Sequence, residues 1–398
     1  MYQGWKVTLA GAGVNFLVGI TYAWSIIAGG LTREFGWTQT QTALPYTVFI
    51  VSYSLCMVAA GRLQDKIGPR WMVAAGGLLI GGSFLISSLV LTPLGVAAFW
   101  GLLFGIGSAC CFASVTPAAI KWFPPSKRGM IAGIVVTGIG VSALVLSPSL
   151  NALVQHGGVR ITFVVTGLVL LLGIVFLAQF IQNPSSSRQD DPGSQQAVVT
   201  PWNHIFKQSH FYVLWVMFCI TTGIGLTFTA HMHTIASTMA SYEKGYVMVI
   251  VFSFFNASGR ILSGILSDRL GRSKAMTLVF IVMTLSLLLI LTISSPLMMG
   301  VAAMFLGLTY GGLFSLFPAT TASYFGVENF GYHYGLVFTG LGAGGLFPLL
   351  AGHFYDQSGT FTLVFTGLLI LCLFVILFSV YLGRQEDKIY QSNKTESF

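Results

Sequence analysis

Charged side chains are scarce in this sequence. Asp, Glu, Lys and Arg together make up 8% of its 398 residues, whereas soluble domains carry about 25% charged residues. Hydrophobic residues make up 55%, and the mean hydropathy is +0.81. So small a charged fraction excludes a soluble globular protein, and we expect a polytopic membrane protein.

Cysteine is also rare, and its placement excludes two kinds of site. All five cysteines lie within apolar segments: Cys56, Cys110, Cys111, Cys219 and Cys372. This distribution does not fit a disulfide framework or a zinc site. The loops contain no nucleophile beside a base and no metal-ligand cluster. We therefore expect no enzymatic activity, no metal and no cofactor, with a proton as the one candidate coupling ion.

The formal charge of +8 does not indicate nucleic-acid binding, because the basic residues follow a topological pattern. Most of them fall in alternate loops and in both tails, and only Arg33, Arg160 and Lys244 fall in the other loops. By the positive-inside rule both termini are cytoplasmic and the number of spans is even. The first apolar run is longer than a signal-peptide core, so we interpret it as a retained helix.

Hydropathy predicts an all-α membrane protein with twelve transmembrane helices of about 20 residues each. The expected spans are 7–30, 42–61, 72–92, 95–118, 129–152, 161–183, 210–233, 246–265, 275–294, 297–322, 333–354 and 361–383. We expect a six-helix bundle over 1–183, a flexible cytoplasmic linker over 184–208, a second six-helix bundle over 209–384 and a cytoplasmic tail over 385–398.

The two halves repeat one another. Gly61-Arg-Leu-Gln-Asp-Lys-Ile-Gly-Pro-Arg70 follows span 2, and Gly264-Ile-Leu-Ser-Asp-Arg-Leu-Gly-Arg272 follows span 8, at an offset of 203 residues. Matching glycine sets occur in spans 5 and 11, and such glycines let helices approach closely. Two six-helix repeats around a midplane site are the architecture of alternating access.

Arg260 lies in the middle of the apolar span 8. An arginine at that depth costs about 2.5–3.5 kcal/mol on insertion scales, so it is retained mainly where it faces a cavity and meets a partner. Its planar guanidinium can hold a carboxylate by two parallel hydrogen bonds. Asn256, one turn earlier, shares its face and can contact a second substrate oxygen, or else bond to a neighbouring helix.

Both loops carry the pattern G-x-x-x-D-x-x-G, followed by Pro69-Arg70 in the first loop and directly by Arg272 in the second. Through these loops the whole chain resembles the major facilitator superfamily. A narrower resemblance is to the monocarboxylate transporter and oxalate/formate exchanger branches, especially bacterial lactate-type monocarboxylate carriers. The segments that carry it are Gly19-Ile-Thr-Tyr-Ala-Trp-Ser25, Lys121-Trp-Phe-Pro-Pro-Ser-Lys-Arg-Gly129, Asn256-x-x-x-Arg260-x-x-x-Gly264 and Tyr310-Gly-Gly-Leu-Phe-Ser-Leu-Phe-Pro318.

This resemblance implies a substrate cage around Arg260 and Asn256. Its other members are aromatic or apolar: Tyr22, Ile26, Phe112, Ile139, Tyr310, Phe314, Phe338 and Leu341. Oxalate exchangers have a second cationic lysine at the place of Leu341, and animal monocarboxylate carriers have a lysine near the place of Ile26. One deep cation favours a single carboxylate. Each aromatic residue has packing as its alternative role.

The acidic residues of the repeated loops suggest a cytoplasmic latch. We expect Asp65 and Asp268 to cap helix N-termini and to pair with arginines such as Arg70 and Arg272, holding that side shut. The alternative is loop anchoring without a gating role.

A residue that carries the coupling proton is not obvious. None of the eleven acidic residues lies in the middle of a span, and Asn256 cannot titrate. The candidates are the substrate carboxylate itself or His231 and His233 at the outer end of span 7, whose alternative is a surface position.

We therefore expect a monomeric, alternating-access carrier in a bacterial cytoplasmic (inner) membrane. Its partners are a small monocarboxylate anion such as L-lactate or pyruvate, a proton and the lipid bilayer. The alternatives are an oxalate/formate-type anion exchanger and, in another class, a membrane sensor that does not transport.

Overall fold

Helices form nearly all of the computed structural model, which describes residues 2–124, 128–184, 205–293, 295–325 and 330–396. Within these ranges there is no β-strand. The helices in chain order are α1 Tyr2–Val18, α2 Trp24–Phe35, α3 Gln39–Ile67, α4 Pro69–Leu89, α5 Pro93–Val96, α6 Leu102–Ile120, α7 Arg128–Ala178, α8 Ser209–Met239, α9 Gly245–Leu270, α10 Arg272–Leu291, α11 Pro296–Phe325, α12 Phe330–Gly344, α13 Phe347–Ser358 and α14 Thr362–Glu396.

Eleven helical segments in the described residues are long and apolar enough to cross a membrane. One of them, Met130–Ala178, contains 49 residues and turns at Gly158, whose φ of 74° is not helical and favours glycine. Since a span needs about 20 residues, this segment crosses twice. The described residues therefore contain twelve spans, and the predicted all-helical fold class is confirmed.

Parts of the predicted domain organisation lie outside the described residues. These are residues 185–204 of the expected linker, residues 397 and 398 of the expected tail, and the side chain of Asp65. The helical backbone of α14 continues to Glu396, well beyond the expected end of the last span.

Three spans contain local breaks that hydropathy does not predict. A 3-10 turn over Gly19–Ala23 joins α1 to α2, and a π-helical turn over Ala97–Gly101 precedes α6. The eleventh span bends between α12 and α13. A Cβ atom on Gly19 would lie 2.8 Å from the carbonyl oxygen of Ile139, so the first break brings two backbones together where no side chain fits.

Alternate helices end on the same side, which gives the molecule two faces. The terminal face carries the start of α1, the end of α3 at Ile67 and the end of α9 at Leu270. The distal face carries the start of α3 at Gln39 and the end of α13 at Ser358.

The first six spans (α1–α7) and the last six (α8–α14) meet at two equivalent places. Gly140 of α7 lies against Ala257 of α9, and Gly342 of α12 lies against Ser54 of α3. The Ser54 hydroxyl also donates to the carbonyl oxygen of Phe338 across the interface, at 3.0 Å. The glycines noted in spans 5 and 11 thus allow close approach between the halves.

Candidate functional site

A cavity of about 760 Å³ lies between the two halves. Its deep end is lined by Tyr22, Tyr46 and Tyr310, which lie well inside their spans. Arg62, near the terminal-face end of α3, and Lys121, at the end of α6, line its mouth. The cavity therefore opens toward the terminal face.

The cavity lining is cationic. Arg62, Lys121 and Arg260 belong to it, whereas no acidic side chain is among the lining residues that the structure describes. Low-dielectric walls around charges of one sign focus the field and concentrate ions of opposite charge. Chemically, the cavity is suited to an anion.

Arg260 is partly buried in the wall of this cavity. Its Cζ atom lies 5.1 Å from the centroid of the Phe314 ring, within the range of a cation–π interaction. Its Nε atom is buried and has no hydrogen-bond partner among the described residues, none of which forms a salt bridge with it. The guanidinium is thus placed by packing and retains its capacity to bind a carboxylate.

Close contact between α9 and α11 holds Arg260 at this position. Gly259 lies against the backbone of Leu308, and Gly307 and Gly311 lie against the backbone of α9. The Ser315 hydroxyl donates to the carbonyl oxygen of Arg260 at 2.6 Å. Small residues permit this approach and fix the direction in which the arginine projects.

Aromatic rings from both halves form the walls near the arginine. In the second half, the rings of Tyr310 and Phe314 meet edge to face with centroids 5.3 Å apart. Tyr53 of the first half lies 6.3 Å from Phe112 and 6.0 Å from Phe338, centroid to centroid. Such walls limit water around the cation and strengthen its electrostatic interactions.

Most of the residues expected in the cage line this cavity. They are Tyr22, Phe112, Ile139, Arg260, Tyr310, Phe314, Phe338 and Leu341. The sequence therefore brings together residues from spans 1, 4, 5, 8, 10 and 11 that the resemblance implied. Their contact with a substrate stays a prediction.

Two expected members, Asn256 and Ile26, are absent from the cavity lining. Ile26 is 2% exposed and packs in the core. Asn256 is 0% exposed. It lies one turn closer to the distal face than Arg260, where the backbone of α9 contacts Gly311 of α11. Neither amide atom of its side chain has a hydrogen-bond partner among the described residues.

Sequence reasoning missed several lining residues, notably Tyr46, Tyr53 and Tyr334. Tyr46 and Tyr53 are seven residues apart and so share one face of α3. That spacing was the available signal, but aromatic residues are too common in this chain for it to stand out. Arg62 was expected to be a partner in the loop latch and Lys121 to belong to a motif of the resemblance, but neither was expected to line the cavity.

The expected latch on the terminal face is not present in the described residues. Arg70 donates instead to the side-chain oxygen of Gln179, within the first half. Asp268 is exposed, and no salt bridge joins it to Arg272 in the described part of the chain. Asp268 and Arg272 both belong to the second half, so a pair between them would not have joined the halves across the cavity that opens on this face. The side chain of Asp65 lies outside the described residues.

His231 is not a surface residue, since it is 2% exposed. Its Nδ1 atom lies 3.1 Å from the side-chain oxygen of Gln39 and its Nε2 atom 2.9 Å from the carbonyl oxygen of Pro348. It therefore bridges the two halves near the distal face. The neighbouring His233 is partly buried and faces Gly29 of the first half.

Comparison with known proteins agrees with this architecture. The family model of the Major Facilitator Superfamily matches residues 9–249 and 234–397. The chain is 26% identical over 350 residues to the uncharacterized MFS-type transporter YhjX of Escherichia coli K12, covering 86% of each chain. It is 26% identical over 327 residues to the oxalate:formate antiporter of Oxalobacter formigenes, covering 80% of this chain and 76% of that protein.

Solved structures share the fold. The crystal structure of a bacterial homolog to the human lysosomal transporter Spinster, in an inward-facing and occupied conformation, superposes with a TM-score of 0.73. The alignment has 13% sequence identity and covers 95% of this chain and 96% of that one.

Proposed function

Because this chain belongs to the Major Facilitator Superfamily, we propose that it carries a small monocarboxylate such as L-lactate or pyruvate, together with a proton. The chain is a multi-pass membrane transporter of that superfamily. The identity of the transported anion and its coupling to a proton are argued from the residues of the site.

The observation that carries the proposal is the guanidinium of Arg260, which lies in a cavity between the two halves and has no hydrogen-bond or salt-bridge partner among the described residues. When the cavity closes and excludes water, a charge left without a partner costs several kcal/mol. A carboxylate ligand would remove that cost through charge-assisted hydrogen bonds. The cargo is therefore an organic anion.

The rest of the wall supports a cargo with one carboxylate. Ile139 and Leu341 are apolar, and Phe112 and Phe314 offer only ring surface. A second carboxylate would be buried without a cation, since Arg62 and Lys121 lie at the mouth. A short aliphatic acid fits this lining better than a dicarboxylate.

Asn256 keeps its proposed role as a ligand for a second substrate oxygen. Each buried polar group without a partner costs about 1–3 kcal/mol. Its amide has two such groups one turn from Arg260. We infer that the amide gains its partner when the cavity closes around the cargo.

Coupling follows from the same charge. An empty carrier would have to move Arg260 through a closed, dry state as an unpaired cation, whereas a loaded one moves a neutral pair. Loading is therefore required for rapid movement, which favours either exchange of anions or co-transport of the anion with a proton, and we propose the latter. The candidate proton carriers are His231, His233 and the substrate carboxylate, although a carboxylate that carries the proton no longer neutralises Arg260.

The proposed orientation places the terminal face in the cytoplasm, in agreement with the basic residues near it. In this orientation the cavity is open inward. We propose that the protein is a monomer in a bacterial inner membrane.

Uptake of labelled L-lactate into proteoliposomes tests the proposal. Arg260→Ala should abolish saturable uptake, and Arg260→Lys should reduce it severely because a lysine cannot form the bidentate pair. Arg269→Ala is the matched control, since Arg269 is exposed on the same helix and should leave uptake unchanged. Normal uptake in Arg260→Ala would contradict the assignment, and absence of saturable uptake in the unmodified protein would favour a sensor.

The second candidate function is exchange of oxalate and formate. It is favoured by the similarity to the oxalate:formate antiporter of Oxalobacter formigenes. Counterflow measured separately with labelled lactate and with labelled oxalate distinguishes a monocarboxylate carrier from an oxalate/formate exchanger. We expect lactate to exchange faster than oxalate.

A further inference from the structure

A carboxylate of one half caps a helix of the other half at the distal face. The Oδ1 atom of Asp356 on α13 accepts a hydrogen bond from the backbone N–H of Gln39 at 2.7 Å. Its Oδ2 atom accepts from the backbone N–H of Thr40 at 2.8 Å and from the Thr40 hydroxyl. Three donors of the first half thus converge on one side chain of the second.

The first turn of α3 explains why these bonds form. The initial N–H groups of a helix have no acceptor within the helix, and they give its N-terminus a partial positive charge. The Thr38 hydroxyl satisfies the N–H of Gln41. The N–H groups of Gln39 and Thr40 remain, and the only acceptor that the described residues offer them is Asp356.

The side chain of Gln39 extends the same contact to a third helix. Its Oε1 atom accepts a hydrogen bond from the Thr234 hydroxyl at 3.1 Å and lies within bonding distance of His231 on α8. Gly352 of α13 lies against the carbonyl group of Gln39, so the helices approach where no side chain intervenes. We call the set Gln39, Thr40, His231, Thr234 and Asp356 the distal latch.

The distal latch joins the halves on the face opposite the open cavity. Every one of its hydrogen bonds must break if the cavity is to open to that face. Among the described residues of the terminal face, Arg70 bonds within the first half and Asp268 forms no salt bridge. The distal latch is thus a polar contact that must form in one state of a rocking carrier and break in the other.

We propose that Asp356 is the positioning residue that holds the distal mouth closed, through its charge on the N-terminus of α3. The inference rests on the proposed function only in that the protein alternates between two open states. It requires no particular cargo.

Glu34 provides a matched control. Both of its carboxylate oxygens lie 3.0 Å from the backbone nitrogen of Val159, which begins the helical turn after Gly158. This is the same chemistry on the same face, but both residues belong to the first half. Loss of the Glu34 cap should loosen one half without separating the two.

Spin-label distances across the molecule test the proposal without substrate. One pair, at Gln155 and Glu243, spans the halves at the distal face, and another, at Lys66 and Arg269, spans them at the terminal face; all four residues are exposed. The labels are introduced after the five cysteines are replaced by alanine. Distances are recorded in lipid nanodiscs.

Asp356→Asn should lengthen the distal distance and shorten the terminal distance together. We expect the population of molecules open at the distal face to rise about tenfold, the factor that corresponds to losing one charge-assisted hydrogen bond. Asp356→Glu should restore the unmodified distribution, and Glu34→Gln should leave it unchanged. A distal change without a terminal change would show a local cap only and would overturn the proposal, as would an unchanged distribution.

A second variant covers the case in which Asp356→Asn does not fold. Gln39→Ala keeps both backbone N–H groups and removes the contacts to His231 and Thr234. It should shift both distances in the same direction by a smaller factor, and no shift would contradict the distal latch. The spin-label distances can be interpreted even if the protein does not transport lactate. The effect of Arg260→Ala on uptake can likewise be interpreted even if the distal latch is refuted.

Discussion

At the scale of single residues, we expect the balance between Arg260 and Leu341 to determine which anion the cavity can hold. Both side chains line the same space, and Leu341 is 2% exposed. One carboxylate neutralises one guanidinium. A second carboxylate would remain as an uncompensated buried charge, which costs several kcal/mol.

We therefore expect Leu341→Lys to change the selectivity toward dicarboxylates. The new cation would neutralise a second carboxylate, and counterflow of labelled oxalate relative to lactate should rise about tenfold or more, a change of about 1.4 kcal/mol in relative affinity. Leu341→Met is the control, because it conserves volume without adding charge. Unchanged oxalate counterflow in the lysine variant would show that Leu341 does not face the cargo.

The sequence reveals some site residues and conceals others for a physical reason. Arg260 stands out because one charge in an apolar run is costly and needs an explanation. Tyr53 and Tyr334 give no such signal, since aromatic side chains are favourable almost anywhere in a membrane protein. Asn256 was expected to line the cavity because it shares a helical face with Arg260. The depth at which the cavity ends depends on the contact between α9 and α11, which the sequence of one helix does not reveal.

At the scale of helices, the contact between α9 and α11 determines where the arginine points. Gly311 lies against the carbonyl group of Asn256, and no side chain fits between them. The packing of these two helices therefore controls the site without contacting the cargo.

Gly311→Ala should disturb both the fold and the site. Its Cβ atom would overlap the backbone of α9, and overpacking of this kind costs about 1–3 kcal/mol. We expect a lower Tm in detergent and a higher KM for lactate. Gly300→Ala on the same helix is the control, because nothing lies within 4 Å of its Cβ position and its Tm should be nearly unchanged. Equal effects in the two variants would argue against close packing at Gly311.

Helices were predictable from the sequence where hydropathy decides them. Twelve apolar segments of spanning length gave the fold class, because a backbone in lipid must satisfy its own hydrogen bonds. The breaks at Gly19–Ala23 and Ala97–Gly101 were not predictable, since they depend on which helix packs against them.

At the scale of the whole molecule, we expect the positive charge of Arg260 to slow the movement of the empty carrier. We expect labelled lactate to enter proteoliposomes preloaded with lactate about tenfold faster than proteoliposomes preloaded with chloride, at equal pH on both sides. In the preloaded case the carrier never returns empty. Equal rates would show that the unpaired arginine does not limit the cycle.

The contact that closes the distal face could not be predicted from the sequence. Asp356 and Gln39 are 317 residues apart, and neither belongs to the repeated loop motif. Their meeting depends on how the two halves dock. The repeat indicated that the chain has two halves, but the acidic residues in the repeated loops, Asp65 and Asp268, belong to the terminal face.

The two glycine contacts between the halves have a mechanical consequence. Gly140 with Ala257 and Gly342 with Ser54 are equivalent under the internal repeat, and all four residues lie about three and a half turns from the terminal-face ends of their helices. A line through both contacts is a natural fulcrum at mid-membrane. Only glycine, alanine and serine meet at these two contacts, so tilting about this line displaces no large side chain at the centre. The contacts that oppose the tilt therefore lie mainly where the halves meet near the two faces.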